Sequence, residues 1–180
     1  MRTSHVTTTV IGSLPLDHHS VRNFVCLDTR SREIHHKTPS VSDDSDAATP
    51  LIVVRQYPSS NGSEYFISIE DRCGYLYGFA RLCLPHAQGV ADILGLDLHT
   101  AMVRELHVYG QVVTFDRDKQ SDWSPQIQHT GIGTQLMHIV EELARVYQYH
   151  RVSVISGVGV RNYYRKLWYT LVGTYMCKTL

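Results

Sequence analysis

The stretch QIQHTGIGTQLMHIVEELARVYQ, Gln126 to Gln148, decides the fold. After Gly133, the residues Leu136, Val140, Leu143 and Tyr147 recur at spacings of four, three and four, which places them on one face of a helix. Met137 and Ala144 widen that stripe. Gly131 and Gly133 stand directly in front of it, and here two readings divide. A glycine pair before a helix is an ordinary loop, or it is a cradle in which the backbone approaches an anion with no Cβ in the way. The unpaired N–H groups and partial positive charge of a helix N-terminus supply the attraction in the second case. No lysine follows as in a Walker A loop, and the third glycine and partner acid of a dinucleotide fold are absent. Spacing alone leaves both readings open.

On either side of this stretch the pattern is strand-like. LIVVRQY from Leu51 is a β-branched run, EYFISIED alternates, and GYLYGFARLCL reads as the next strand, with Arg72 to Gly74 turning the hairpin. Thr100 to Val113 is a further strand, and DRDKQSDWSPQIQ a polar loop closed by Pro125. Downstream, RVSVISGV is a short strand ending at Gly157, RNYYRKLWY a short helix, and TLVGTYMCKTL two strand pieces around Gly173. The order predicts a mixed α/β (α+β) domain over residues 51–180. Residues 1–50 read as an N-terminal segment and linker. Thr38 to Pro50 is polar and acidic, and the segment ahead of it supplies one strand, Phe24 to Leu27, and a basic stretch.

The 180 residues suffice for one domain and a tail. Lysine plus arginine and aspartate plus glutamate both number 17, so no global field draws the chain to nucleic acid or a membrane. Cys26, Cys73, Cys83 and Cys177 form no C-x-x-C pair, which excludes a zinc ribbon or an iron–sulfur loop of that design. With no signal-peptide pattern and no stretch of transmembrane length, the expectation is a soluble intracellular protein with reduced thiols.

QHTGIG resembles the Q/R-x-x-G-x-G/A pyrophosphate loop of the GNAT acetyltransferases, which holds coenzyme A. MVRELHVYG, QHTGIGTQLM, VISGVGVRNYYRKLWY and YMCKTL are similar, in order, to the C-terminal acetyltransferase domain of the Elongator protein 3 family. The resemblance covers about Leu51 to Leu180 and implies the GNAT fold, a mixed, mostly antiparallel sheet flanked by helices. It implies acetyl transfer from acetyl-CoA, or its hydrolysis, linked to modification of the tRNA wobble uridine in the cytoplasm, with the nucleus as alternative. A lysine (histone-type) acetyltransferase is a further reading. So is a catalytically silent GNAT-fold binding or assembly module, or a truncated remnant.

The resemblance also assigns residues. Gln128, His129, Thr130, Gly131, Ile132, Gly133 and Thr134 take the pyrophosphate. The backbone of Glu105, Leu106, His107 and Val108 takes the pantetheine arm and the thioester carbonyl, and Asn162, Tyr163 and Tyr164 complete the coenzyme site. Glu105 is the candidate base and Tyr164 the proton donor to the leaving sulfur. Against these stand blander roles: an ion pair of Glu105 with Arg104 or Arg161, a packed and hydrogen-bonded His107, and Tyr163 packing on the sheet. Arg161, Arg165 and Lys166 meet coenzyme phosphates or RNA, or are simply solvated. CLDTRSREIHHK resembles the family's preceding C-x-C-x-x-C-R-E-V segment, with Asp28 and Ser31 in two of the cysteine positions, so zinc is not expected. The family's radical-SAM domain belongs upstream. These residues carry neither its iron–sulfur motif nor its SAM site, so a separate radical-SAM chain or Elongator-type subunits, with tRNA reached through the complex, are the partners implied. Trp168 replaces the family's glycine at the exit of the short helix, where a left-handed cap is expected, and Thr174 replaces a proline.

Overall fold

The computed structural model describes residues 7–11, 29–33, 50–60, 62–71, 74–86, 99–109 and 131–180. The β-branched and aromatic runs form an eight-stranded sheet: β1 (Thr7–Ile11), β2 (Leu51–Ser59), β3 (Gly62–Glu70), β4 (Leu76–Pro85), β5 (Thr100–Val108), β6 (Arg151–Val154), β7 (Thr170–Val172) and β8 (Tyr175–Thr179). Their spatial order is β1-β2-β3-β4-β5-β6-β8-β7, and every neighbour pair is antiparallel except β5–β6. Two α-helices are present among the described residues, α1 (Ile132–Val146) and α2 (Arg161–Lys166). This is the expected α+β architecture, a mixed and mostly antiparallel sheet.

The core lies between α1 and one face of the sheet. Leu136, Met137, Val140 and Ala144 of the predicted stripe are buried against Ile67, Ala80, Leu82, Ala101, Val103 and Val152. Each large apolar side chain so buried contributes roughly 1.5–3 kcal/mol. Tyr147, at the end of the stripe, is half-exposed and meets the Tyr65 ring at 5.5 Å. Gly78 sets how closely the start of α1 can sit on the sheet. A Cβ there would stand 2.9 Å from the His107 carbonyl oxygen and 3.0 Å from Ile132 Cγ2.

Several elements differ from expectation. α1 begins at Ile132, so Gly133 lies inside its first turn and Gly131, with φ −62° and ψ 156°, is the N-cap. β5 ends at Val108, and residues 110–130 lie outside the described set, as do Phe24 to Leu27, Arg72 and Cys73. β1 was not anticipated. Its sequence TTTVI is entirely β-branched, and it pairs antiparallel with β2 from Thr7↔Gln56 to Ile11↔Ile52. The segment 29–33 also docks on the sheet. Arg32 is buried, gives its Nε–H to the Gly74 carbonyl at 2.8 Å and forms an ion pair with Glu70.

Both helices end in Schellman motifs on residues other than glycine. After α1, Gln148 (φ 64°) gives its N–H to Arg145 at 2.9 Å, and Tyr149 gives its own to Ala144 at 2.8 Å. After α2, Trp168 (φ 69°) gives its N–H to Arg165 at 3.1 Å, and Tyr169 gives its own to Tyr164 at 3.1 Å. Trp168 thus adopts the left-handed conformation expected of the glycine it replaces. That conformation costs an L-residue about 1–2 kcal/mol, part of which glycine returns as unfolded-state entropy. Gln148→Gly and Trp168→Gly are each expected to raise stability by about 1 kcal/mol. Urea unfolding of the single variants measures this, and a loss of stability in either would refute it.

Candidate active site

The site begins where β5 and β6 part. The two strands pair only from Thr100↔Arg151 to Val103↔Val154, with one further bond from Ile155 N–H to the Val103 carbonyl at 3.1 Å. β6 then gives way through Gly157 to a 3-10 turn, Val158–Val160, and α2. Among the described residues β5 runs on beside β4 alone, so the backbone groups of its second half that face β6 have no strand partner there. Those groups belong to Leu106 and Val108; Glu105 and His107, in step with Tyr109, whose N–H meets the Tyr77 carbonyl at 2.9 Å, turn theirs to β4, so only half of the expected run is open.

A β-bulge re-aims this half of the strand. Leu82 pairs with Val103 and Arg81 with Glu105, leaving Arg104 as the extra residue. Arg104 and Glu105 consequently share the face away from α1. Arg104 reaches the buried Glu64 at 2.8 Å. The Glu105 carboxylate stands 3.7 Å from Arg81, with both side chains well exposed. The ion pair expected with Arg104 or Arg161 is therefore made with Arg81 instead, and at this exposure it holds Glu105 only weakly. His107, expected as a packed and hydrogen-bonded histidine, is exposed and packs through ring contacts, 6.0 Å to Phe79 and 4.5 Å to Tyr109. Glu105, His107, Arg81, Phe79, Tyr109 and Glu33 line an open cleft of about 450 Å³ on this face.

On the α1 side the parted strands meet the helix N-terminus. Gly131 makes no side-chain cap, and α1 has no acidic residue in its first turn. The N–H groups of Thr134 and Gln135 return to the Gly131 carbonyl, at 2.9 and 3.1 Å, while those of Ile132 and Gly133 have no backbone acceptor among the described residues. The two glycines serve different ends. Among the described residues a Cβ at Gly131 would meet nothing within 4 Å, whereas one at Gly133 would stand 2.7 Å from the Tyr163 hydroxyl and 3.5 Å from Val108 Cγ2. Gly133 is small because Tyr163 reaches over it.

The Tyr163 hydroxyl is buried with no well-directed hydrogen bond among the described residues, and so are Ser156 Oγ and Arg161 Nε nearby in sequence. Burial raises the Tyr163 pKa, and the adjacent Thr134 side chain offsets this only in part. Tyr163 also packs against the core, the blander role expected of it. Tyr164 is 5% exposed and wedged edge-on between Tyr163 and Tyr169, at 5.1 and 6.0 Å. Burial, then the Tyr163 charge, pushes its phenol up to about 12, so it keeps its proton at neutral pH. Asn162 lies at the surface, accepting from Arg165 at 2.6 Å. Gln128, His129 and Thr130 lie outside the described residues.

One supporting network was not foreseen. Glu141 of α1, 3% exposed, accepts from Lys178 Nζ at 2.8 Å and from the Tyr169 hydroxyl at 2.9 Å. It ties α1 to β8 and to the exit of α2. Its spacing of four from Met137 was the available signal, hidden because a carboxylate does not count toward an apolar stripe. Chemically, the whole arrangement can hold an anion at the α1 N-terminus and a carbonyl oxygen or amide along β5. A carboxylate and a buried phenol flank that line.

Comparison with known proteins bears on this geometry. The chain is 39% identical over 162 residues to a tRNA uridine(34) acetyltransferase of Dehalococcoides mccartyi, covering 88% of this chain and 33% of that protein. It is 39% identical over 163 residues to Elongator complex protein 3 of Saccharomyces cerevisiae, covering 86% of this chain and 27% of that protein. A solved structure of the archaeal Methanocaldococcus infernus Elp3, with an N-terminal deletion, superposes with a TM-score of 0.54 at 36% identity. That match covers 73% of this chain and 30% of the other. The chain thus spans about a third of the length of the curated relatives it matches. No family model matches it.

Proposed function

Because this chain is a relative of the Elongator protein 3 and tRNA uridine(34) acetyltransferase chains over about a third of their length, we propose that it forms their GNAT-type acetyltransferase domain. In this reading residues 51–180 are the acetyl-CoA-dependent domain, and residues 1–50 contribute β1 and the Arg32 contact. The reaction serves modification of a tRNA wobble uridine, and tRNA is reached through Elongator-type subunits or a radical-SAM partner. A cytoplasmic location follows from such a substrate. The observation that carries the proposal is the parting of β5 from β6 beside a helix N-terminus that has no acid of its own.

Acetyl-CoA supplies the acetyl group as a thioester. The residues present fit it. Among the described residues, Gly131 leaves open space before the Ile132 and Gly133 N–H groups, which would take the pyrophosphate. The unpaired backbone groups of Leu106 and Val108 on β5 would hold the pantetheine amides and place an N–H on the thioester carbonyl, where loss of one such donor costs about 10²–10³ in rate. Glu105, on the opposite face, accepts a proton from water or an acceptor entering the 450 Å³ cleft. Tyr164 keeps its proton and presents it to the departing sulfur.

Release of coenzyme thiol by the purified chain with tRNA, beside acetyl-CoA titration by calorimetry, tests the proposal. Tyr164→Phe preserves the ring packing and is expected to lower turnover about 10²-fold while leaving affinity within about twofold. Unchanged turnover would remove Tyr164 from the chemistry. A folded wild-type chain that binds no acetyl-CoA would sink the enzyme reading.

A further inference from the structure

Trp168 is the most exposed of the large apolar side chains among the described residues, at 83%, and it sits in a backbone conformation that favours glycine. A strained residue with an unburied indole gains nothing from the fold, so its position asks for a use. An open cleft of about 200 Å³ runs between α1 and the exit of α2, with Thr134 of the first turn of α1 and Trp168 both on its wall. His138 and Lys166 line the same cleft and are exposed. Glu141 and Lys178 line it too, but they neutralise each other at 2.8 Å, and Glu141 takes a further hydrogen bond from Tyr169. The charge left over at the rim is cationic. A flat aromatic surface beside a lysine and a histidine, opening from a helix N-terminus that presents free N–H groups, has the chemistry of a purine nucleotide site.

We propose that Trp168 stacks on the adenine of the coenzyme, with Lys166 and His138 meeting the phosphate on its ribose. This rests on the acetyl-CoA reading above and deepens it. The pyrophosphate at Ile132 and Gly133 leaves the adenosine end to run past Thr134 along the cleft, toward the indole. The substitution that strains the α2 exit thereby adds a contact that a glycine cannot make, and this chain holds the nucleotide end of its coenzyme by stacking.

Calorimetric titration of three chains tests this. Trp168→Gly relaxes the backbone and so folds at least as well as wild type. It is expected to weaken acetyl-CoA about tenfold while leaving acetyl-phosphopantetheine, which lacks the nucleotide, unchanged. Trp168→Phe keeps a stacking ring and is expected to restore most of the affinity. In a Trp123→Phe background, adenosine 3′,5′-bisphosphate is expected to quench the remaining indole emission. Equal acetyl-CoA affinity in wild type and Trp168→Gly overturns the stacking contact and leaves the acetyltransferase reading standing. Absence of acetyl-CoA binding in all three overturns both. Quenching by an anticodon stem–loop RNA but not by the bisphosphate overturns it in favour of RNA.

Discussion

Gly131→Glu is expected to raise the dissociation constant for acetyl-CoA at least about a hundredfold, an energy of about 2.7 kcal/mol, without weakening the fold. The two halves of that expectation have separate causes. A Cβ at Gly131 meets nothing within 4 Å among the described residues, and the backbone there, at φ −62°, suits any residue. A carboxylate at the N-terminus of α1, which has no acid in its first turn, should even stabilise the helix by about 0.3–1 kcal/mol. The same carboxylate would stand where the proposed pyrophosphate sits. A variant that melts at or above the wild-type temperature and yet fails to bind separates an anion cradle from an ordinary loop. Undiminished binding by Gly131→Glu would leave the glycine without that role. Gly133→Glu is a blunter tool, because its Cβ would collide with the Tyr163 hydroxyl at 2.7 Å and displace that ring.

Glu70→Ala is expected to cost about 3–5 kcal/mol at neutral pH, the range for removing one partner of a buried ion pair. Glu70 accepts from Arg55 Nη1 at 2.5 Å and also from Arg32 and Ser68. Its loss would strand the nearly buried Arg32 guanidinium, which remains charged at any pH the protein sees. Burial alone would raise the Glu70 carboxyl, but the hydrogen bonds from Arg55 and Ser68 and the charges of Arg55 and Arg32 outweigh it and hold its pKa below the usual range. A carboxyl lowered on folding stabilises the protein above its unfolded pKa, and that contribution fades as pH falls through the folded value. Wild type and Glu70→Ala should therefore differ most near neutral pH and converge in acid. Urea unfolding at pH 7 and in acid measures both points. A deficit under about 1 kcal/mol at pH 7, or one independent of pH, would refute the assignment.

Which of these features the sequence could announce follows from the range of the interactions involved. The α1 stripe from Leu136 to Tyr147 and the strand runs of β2, β3 and β4 are local patterns, and each appears where periodicity puts it. β1 failed the same test, because a run of three threonines reads as polar until a partner more than forty residues on supplies the other half of its ladder. The buried carboxylates Glu64, Glu70 and Glu141 were illegible for a related reason. Pattern reading sends charges outward, and only tertiary structure brings Arg104, Arg32 or Lys178 to meet them. The bulge at Arg104 left no mark in the sequence, yet it decides that Glu105 faces Arg81. The two tyrosines differ by one position and were separable only in three dimensions, where Tyr164 enters the core and Tyr163 crosses Gly133. Trp168 raised a question in one dimension that its φ of 69° answers.

The strand order has a kinetic side. β1 to β5 lie in the sheet in the order they occur in the chain, so each joins a neighbour already laid down. β6 joins β5 only after α1 has crossed between them, and the seam it makes is four residues long. Non-local parallel pairing bears its closure entropy before any contact rewards it, which favours the antiparallel meander as nucleus and the seam as the last event. The cleft in which we place the coenzyme is formed by that last event. A ligand wedged there would then act on the escape from the native state, lengthening its lifetime, with little influence on how quickly the chain first finds it.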